Sequence, residues 1–334
     1  GKDAFDIKLW TGNGSNSKSI TGYEFSPDLV WIKRYNSATN FAVYDTVRGT
    51  TKTLRTDSTL IQSTDSTSLT SFNSDGFTIG SSNLVNSWNN SYVGWAFDAG
   101  SSTVTNTTGT MNSQVRANQT AGFSIVTATQ GSDVKTWGHG LSSKPDMIWM
   151  KNTSGYNYNW YVHHKGLDHP ARNFMHLNTT GGEVSNNNWF NDTAPTSSVV
   201  TTKAGGMWNS GDNFVAYCWN EVPGYSSFGT YQGDGSANGL FIYTGFRPAF
   251  VLIKYKNSGT PWFLYDTTRS TYNSAEKVFY PNTYANEATS SWYAIDIVSN
   301  GFVLRTSTGE VNGFYRYYIY SAFAEHPFKT ARAR

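Results

Sequence analysis

The apolar residues of this chain fall in short runs of strand length, separated by clusters of Gly, Asn, Asp and Ser. Brief apolar runs between turn clusters predict strands and hairpins, not helices. Three runs share one plan, in which a proline is followed two residues later by an apolar stretch ending on lysine. They are Ser26-Pro27-Asp28-Leu29-Val30-Trp31-Ile32-Lys33, Lys144-Pro145-Asp146-Met147-Ile148-Trp149-Met150-Lys151 and Arg247-Pro248-Ala249-Phe250-Val251-Leu252-Ile253-Lys254. A second element follows each: Phe41-Ala42-Val43-Tyr44-Asp45, Trp160-Tyr161-Val162-His163-His164 and Trp262-Phe263-Leu264-Tyr265-Asp266. Aromatic strands close each set, at Tyr92 to Phe97, Phe214 to Trp219 and Tyr318 to Phe323. Their period-two alternation predicts strands buried on one face.

The openings match as well, with a strand leading into a glycine-bearing turn at Trp10-Thr11-Gly12-Asn13-Gly14, Thr129-Gln130-Gly131 and Tyr231-Gln232-Gly233-Asp234-Gly235. A further turn recurs at Ser74-Asp75-Gly76-Phe77 and Ser299-Asn300-Gly301-Phe302, replaced in the middle copy by Ser197-Ser198-Val199-Val200. Repeats of this order predict an all-β chain of three tandem antiparallel β-sandwiches of about 100 residues, Ig-like or jelly-roll in topology. The expected boundaries are residues 1–100, a polar connector at 101–120, then 121–224, 225–328 and a basic tail at 329–334. The last two units meet with almost no linker and are expected to pack together, leaving the first more independent.

Composition agrees with strands: aromatic residues make up 16% and charged residues 14%, with Gly at 31 positions. A net charge of +2, evenly spread, gives no footprint for nucleic acid. Cys218 is the one cysteine, which excludes an intrachain disulfide and a cysteine-based zinc site. No apolar run reaches the ~18 residues that span a bilayer, so membrane insertion is not expected. The chain opens Gly1-Lys2-Asp3 without methionine, as a processed product, a tag scar or a fragment would.

The motifs Phe25-Ser26-Pro27-Asp28-Leu29-Val30-Trp31-Ile32-Lys33, Asn118-Gln119-Thr120-Ala121-Gly122-Phe123, Tyr243-Thr244-Gly245-Phe246-Arg247-Pro248 and Ala322-Phe323-Ala324-Glu325-His326-Pro327-Phe328 give the chain its resemblance. It resembles the repeat-containing virion structural and tail-fibre proteins of tailed, especially marine and cyanobacterial, bacteriophages, over nearly its whole length. That resemblance implies a place on the virion exterior, on tail or capsid, among other virion proteins. It carries no catalytic residues. The expected function is a structural tail-fibre or host-adhesion module, homo-oligomeric with a trimer favoured, that contacts host surface polysaccharide. The alternatives are a capsid decoration protein and a glycan-degrading tailspike.

Candidate chemistry is sparse. Five of the six histidines lie in the middle unit, His139, His163, His164, His169 and His176, with no HExxH arrangement and no run of carboxylates, so no metal or other cofactor is expected. Asp45 and Asp266 stand at matching places with Arg48 and Arg269 three residues on, a spacing that predicts structural ion pairs. In the middle unit His164 and Leu167 replace both partners. Carboxylates such as Glu24, Asp28, Asp75 and Asp98 form no glycosidase motif, and no nucleophile elbow or phosphate loop is present, so the chain is not expected to be an enzyme. Cys218 alternates with aromatics and is expected to be buried. Binding is sought at the loop aromatics Tyr156, Tyr158, Trp189 and Tyr284, with Asn157, Asn186 and Asn187 beside them, and at His163 and His164 as exposed groups.

Overall fold

The computed structural model describes residues 3–257 and 259–326; the tail expected at 329–334 lies outside them. The first segment forms β1 (Phe5–Thr11), β2 (Lys18–Ile20), β3 (Leu29–Arg34), β4 (Ala42–Asp45), β5 (Lys52–Thr53), β6 (Ser63–Thr64), β7 (Leu69–Asn73), β8 (Gly76–Ile79) and β9 (Ser91–Phe97). The middle of the chain forms β10 (Thr103–Asn106), β11 (Ser113–Asn118), β12 (Phe123–Thr129), β13 (Val134–Gly138), β14 (Met147–Asn152), β15 (Tyr161–His164), β16 (Asn173–His176), β17 (Val184–Ser185), β18 (Val199–Lys203) and β19 (Asn213–Trp219). The last segment forms β20 (Ser226–Gln232), β21 (Leu240–Tyr243), β22 (Pro248–Tyr255), β23 (Phe263–Asp266), β24 (Lys277–Val278), β25 (Ala288–Thr289), β26 (Ile295–Val298), β27 (Gly301–Leu304) and β28 (Tyr317–Ala324). The fold is all-β and antiparallel, with one 3₁₀ turn at Ser291–Tyr293 among the described residues.

Three large sheets share a strand order: β1-β9-β3-β4, then β12-β19-β14-β15 within a wider sheet, then β20-β28-β22-β23. Smaller sheets, β2-β8-β7, β13-β18 and β21-β27-β26, face them across outer cores. Successive side chains on a strand point to opposite faces. On β3, Leu29 and Trp31 therefore enter a central core while Val30 and Ile32 enter the outer core of the first segment. Met147 and Trp149 against Ile148 and Met150 on β14, and Phe250 and Leu252 against Val251 and Ile253 on β22, repeat that division. Strands packed on both sides need continuous apolar runs. The closing strands β9, β19 and β28 accordingly have both faces buried, which corrects the expectation of half-buried strands.

The central core joins all three segments. Trp31 meets Trp149 at 5.3 Å, Phe97 meets Trp219 at 5.8 Å and Phe323 at 5.0 Å, and Phe5 meets Phe323 at 5.4 Å. The gap left at its centre, lined by Trp31, Trp149, Trp219 and Phe250, measures about 10 Å³, too little for a ligand. Hydrogen bonds around it join every segment to each of the other two. Tyr217 Oη donates to Asp45 of the first segment, His164 Nε2 meets the Tyr320 carbonyl of the last, and Trp95 Nε1 donates to Asp266 at 3.3 Å. The indoles of Trp160 and Trp262 likewise donate to the carbonyls of Arg55 and His176, while Phe41 packs on Phe279. The contacts close a ring.

Two expectations are overturned here. The first segment is not independent, because Phe5, Trp31, Trp95 and Phe97 would expose their aromatic faces without the other two sheets. Residues 101–120 are not a structureless connector: Val104 is exposed, but Val115 is buried in the outer core of the middle segment, and β11 pairs with β12. Replacing Phe97 by Ala removes a ring in contact with Phe5, Phe123, Trp219 and Phe323. We expect Phe97→Ala to cost about 3–5 kcal/mol and to raise amide exchange in all three segments together. Faster exchange confined to residues 1–100 would contradict the shared core.

Candidate functional site

The strand registers place the turns after β1, β12 and β20 beside the loops that precede β9, β19 and β28, at one end of the molecule. In the first segment the turn is pinned by Asn86, whose Nδ2 donates to Asn13 Oδ1 and the Ser15 carbonyl, both at 3.0 Å. Asn312 repeats this in the last segment, donating to Asp234 Oδ1 and the Ser236 carbonyl at 2.9 Å. The loops approach so closely that a Cβ on Gly12 would stand 2.1 Å from the Ser87 carbonyl oxygen, and one on Gly233 2.3 Å from that of Gly313. Only glycine fits there. Asn89 and Tyr315, which donate to the Gly12 and Gly233 carbonyls, hold left-handed φ values of 55° and 57°. For an aromatic residue that conformation is strained, a feature that gathers at functional sites.

These pinned turns carry Trp88 in the first segment and Phe314 with Tyr315 in the last, whose rings lie 4.2 Å apart. Trp88 is 74% exposed, and Phe314 and Tyr315 are each 68% exposed. At the matching place the middle segment has Ser210, but Asn209 Nδ2 donates to Tyr158 Oη at 3.1 Å and so holds Tyr158 and Tyr156 at that corner. Tyr284 stands at the same end, its carbonyl accepting from the Thr39 amide and from Lys33 Nζ. The end therefore presents aromatic rings from every segment. Tyr156 and Tyr284 are exposed, as expected of loop aromatics; Trp88, Phe314 and Tyr315 are exposed too, and the signal that marks them in the sequence is an Asn- or Gly-rich stretch between strands.

The structure removes three candidates from the surface. Trp189 is 1% exposed, packed on Phe174 at 4.7 Å and Phe190 at 4.5 Å. His163 and His164 are buried on opposite faces of β15, His163 beside Phe190 and His164 at the junction with the last segment. Neither can meet a ligand. No group of three or more His, Cys, Asp or Glu able to hold a metal occurs among the described residues. Asp28 is buried with Arg116 Nε at 2.6 Å, and its carboxyl is pushed up to about 7 by desolvation that Arg116, the Ala99 amide and Thr46 only partly offset. Cys218 is buried, and burial raises its thiol far above the range of a nucleophile.

The Asp–Arg places belong to the ring of contacts. Arg48 Nε and Arg269 Nε pair with Asp45 and Asp266, and each guanidinium also reaches a third residue, Gln62 at 3.1 Å and Glu287 at 2.8 Å. With Leu167 in place of that arginine, Glu183 in the middle segment turns to Asn173 and to Lys256 of the last, whose Nζ also pairs with Asp168. Where the other two segments have an internal Asp–Arg pair, the middle one has a contact between segments. Lysines end the central runs in all three: Lys33, Lys151 and Lys254 are buried, and desolvation lowers them to about 8, 7 and 7. Lys33 and Lys254 donate to carbonyls of the neighbouring segment, Tyr284 and Thr180.

The family model described as Domain of unknown function (DUF7483) matches residues 1–327. No curated protein matches the chain.

Burial also sets a pH dependence. Desolvation lowers His163 and His164 to about 3 and His139 to about 4. Between those values and the ordinary histidine value of ~6.5 the unfolded chain binds protons that the folded chain refuses, so stability falls as pH falls through that window. The lowered lysines act in the same sense between about 7 and ~10.4. Asp28 opposes them: its raised carboxyl binds a proton in the folded state from 3.8 to about 7. Burial raises the Asp57 carboxyl in the same sense as Asp28 and lowers His176 with the other three, so four histidines outnumber two carboxyls. We expect the melting temperature to rise from pH 5 to pH 9 and the acid limb to flatten in His163→Gln, as read by calorimetry; a wild-type maximum near pH 5 would contradict the assignment.

Proposed function

We propose that this chain, which belongs to the DUF7483 family, is a non-catalytic adhesion module built from three copies of one β-sandwich unit on the exterior of a tailed-phage virion. It grips host surface polysaccharide through its aromatic end. The observation that carries this reading is the set of exposed rings, Trp88, Tyr156, Tyr284, Phe314 and Tyr315, gathered at one end. Turns whose backbone is fixed by the buried Asn86 and Asn312 lose little backbone freedom on binding, so the cost of ordering is confined to the exposed rings. Their faces suit the C–H faces of sugars, and the surrounding Asn, Ser and Tyr groups suit hydroxyls. The compartment is supported by the resemblance of the repeat motifs to virion proteins.

One chain already brings three corners to that end, and the trimer expected of a fibre module would multiply it. Other virion proteins would then engage the remaining surface. The unlike corners, Trp88 alone, Tyr156 with Tyr158, and Phe314 with Tyr315, suit an extended glycan better than three identical sugars.

Binding of purified protein to host cells and to extracted host polysaccharide tests the reading. We expect Trp88→Ala, and Phe314→Ala with Tyr315→Ala, each to weaken binding by about tenfold, equivalent to ~1.4 kcal/mol, with the melting temperature unchanged. Wild-type protein that binds capsids and not cells would favour the decoration reading. Release of reducing sugar from the polysaccharide would favour a tailspike. Unaltered binding by both variants would remove the aromatic end from the account.

A further inference from the structure

Where the last segment adjoins the middle one, a lysine, a glutamate and an asparagine share a site that solvent barely reaches. Asn173 opens β16, Glu183 precedes β17, and the pairing of Asn173 with Ser185 brings the two together. Lys256 follows β22 and is held by both main-chain groups: its amide donates to the Tyr317 carbonyl at 2.9 Å, and its carbonyl accepts from the Glu183 amide. Both side chains meet one carboxylate. Glu183 Oε1 accepts from Asn173 Nδ2 at 2.5 Å and from the Asp168 amide at 2.6 Å, while Oε2 stands 3.5 Å from Lys256 Nζ. Asn173 is 5% exposed, and the side chains of Lys256 and Glu183 are each 7% exposed.

Hydrogen bonding at this site is incomplete. Asn173 Oδ1 and Glu183 Oε2 are buried and accept no hydrogen bond among the described residues, while Lys256 Nζ turns to Asp168, whose side chain is 62% exposed. Buried acceptors left unpaired are costly. A swing of Nζ away from Asp168 takes it onto Oε2 and toward the carboxamide on the other oxygen of the same carboxylate. A lysine amine is a nucleophile once it is neutral, and a site shut off from water favours a neutral amine and carboxylic acid over two ions.

We propose that Lys256 and Asn173 join in an autocatalytic amide crosslink between the last and middle segments, with Glu183 as general base and acid. Glu183 Oε2 takes one proton from the Nζ ammonium. The neutral amine attacks Asn173 Cγ, forming the new C–N bond and moving the carbonyl electron pair onto Oδ1. Glu183 gives the first proton to Nδ2 and takes a second from Nζ, which keeps one as the amide hydrogen. The pair on Oδ1 re-forms the carbonyl, the Cγ–Nδ2 bond breaks, and ammonia leaves, carrying off the second proton as ammonium. Nothing is oxidised or reduced, and no co-reactant enters. Asp168 touches Nζ but is the poorer acyl partner, because water around an exposed carboxyl group opposes amide formation by dehydration. With Cys218 alone the chain can form no intrachain disulfide, and this bond supplies the same kind of restraint on the unfolded ensemble, across two segments. The crosslink does not depend on the glycan reading.

Intact-mass measurement of the purified full chain, unfolded in guanidinium chloride, reads the bond directly. The expected mass falls short of the sequence mass by one ammonia, and proteolysis is expected to release a branched peptide joining the Asn173 and Lys256 segments. Lys256→Arg keeps the cation and is expected to show the full mass; Asp168→Ala is expected to keep the ammonia deficit. Glu183→Gln should slow crosslinking by about a hundredfold or more, read as the branched fraction at fixed times after purification. The branched peptide of the wild type decides the matter even where a variant fails to fold. Full mass in the wild type overturns the proposal, and so does an ammonia deficit that persists in Lys256→Arg, which places the loss at another asparagine. A deficit of one water that Asp168→Ala abolishes also overturns it, giving the bond to Asp168, and an undiminished rate in Glu183→Gln removes the catalytic carboxylate.

Discussion

Each of the three large sheets of this protein carries two apolar faces, and a single small sheet can cover only one of them. The second face, with Leu29 and Trp31 on β3, Met147 and Trp149 on β14, and Phe250 and Leu252 on β22, must leave water by meeting the other two sheets. Three such faces satisfy one another around a common centre. The ring of polar contacts, Tyr217 to Asp45, His164 to Tyr320 and Trp95 to Asp266, then fixes the rotation of each sheet against the next. That arrangement directs the turns after β1, β12 and β20 to one end and makes a single aromatic surface of them.

Much of this was legible in the chain. The proline-anchored strands, the closing aromatic strands and the all-β fold follow from spacing and residue type. The central core did not follow, although its sign was present: Leu29-Val30-Trp31-Ile32 is apolar at every position, which suits a strand covered on both sides and not one that alternates. Residues 101–120 read as polar because β10 is exposed, while Val115 and Ala117, at alternate positions of β11, hide the strand in a sequence of otherwise polar residues.

The candidate site shows why sequence resolves such surfaces poorly. Trp88 and Trp189 both follow Asn-containing stretches and look alike as loop tryptophans. One is exposed, because its turn is held from below by Asn86. The other is buried, because Phe174 and Phe190 close over it through contacts far apart or adjacent in the chain. The middle segment illustrates the same dependence on partners. Its exchange of Asp for His164 and Arg for Leu167 removes an ion pair, and Glu183 with Lys256 restores a tie to the next segment by a different route. The bonding there differs from that of the other two segments, and the ring still closes.

Scanning calorimetry of the whole chain tests the shared centre most directly. Three sheets that depend on one another for the burial of a face should unfold in one transition, with equal calorimetric and van't Hoff enthalpies. Two or three separate transitions, each with the enthalpy of about 100 residues, would show that the segments stand alone and would contradict the account.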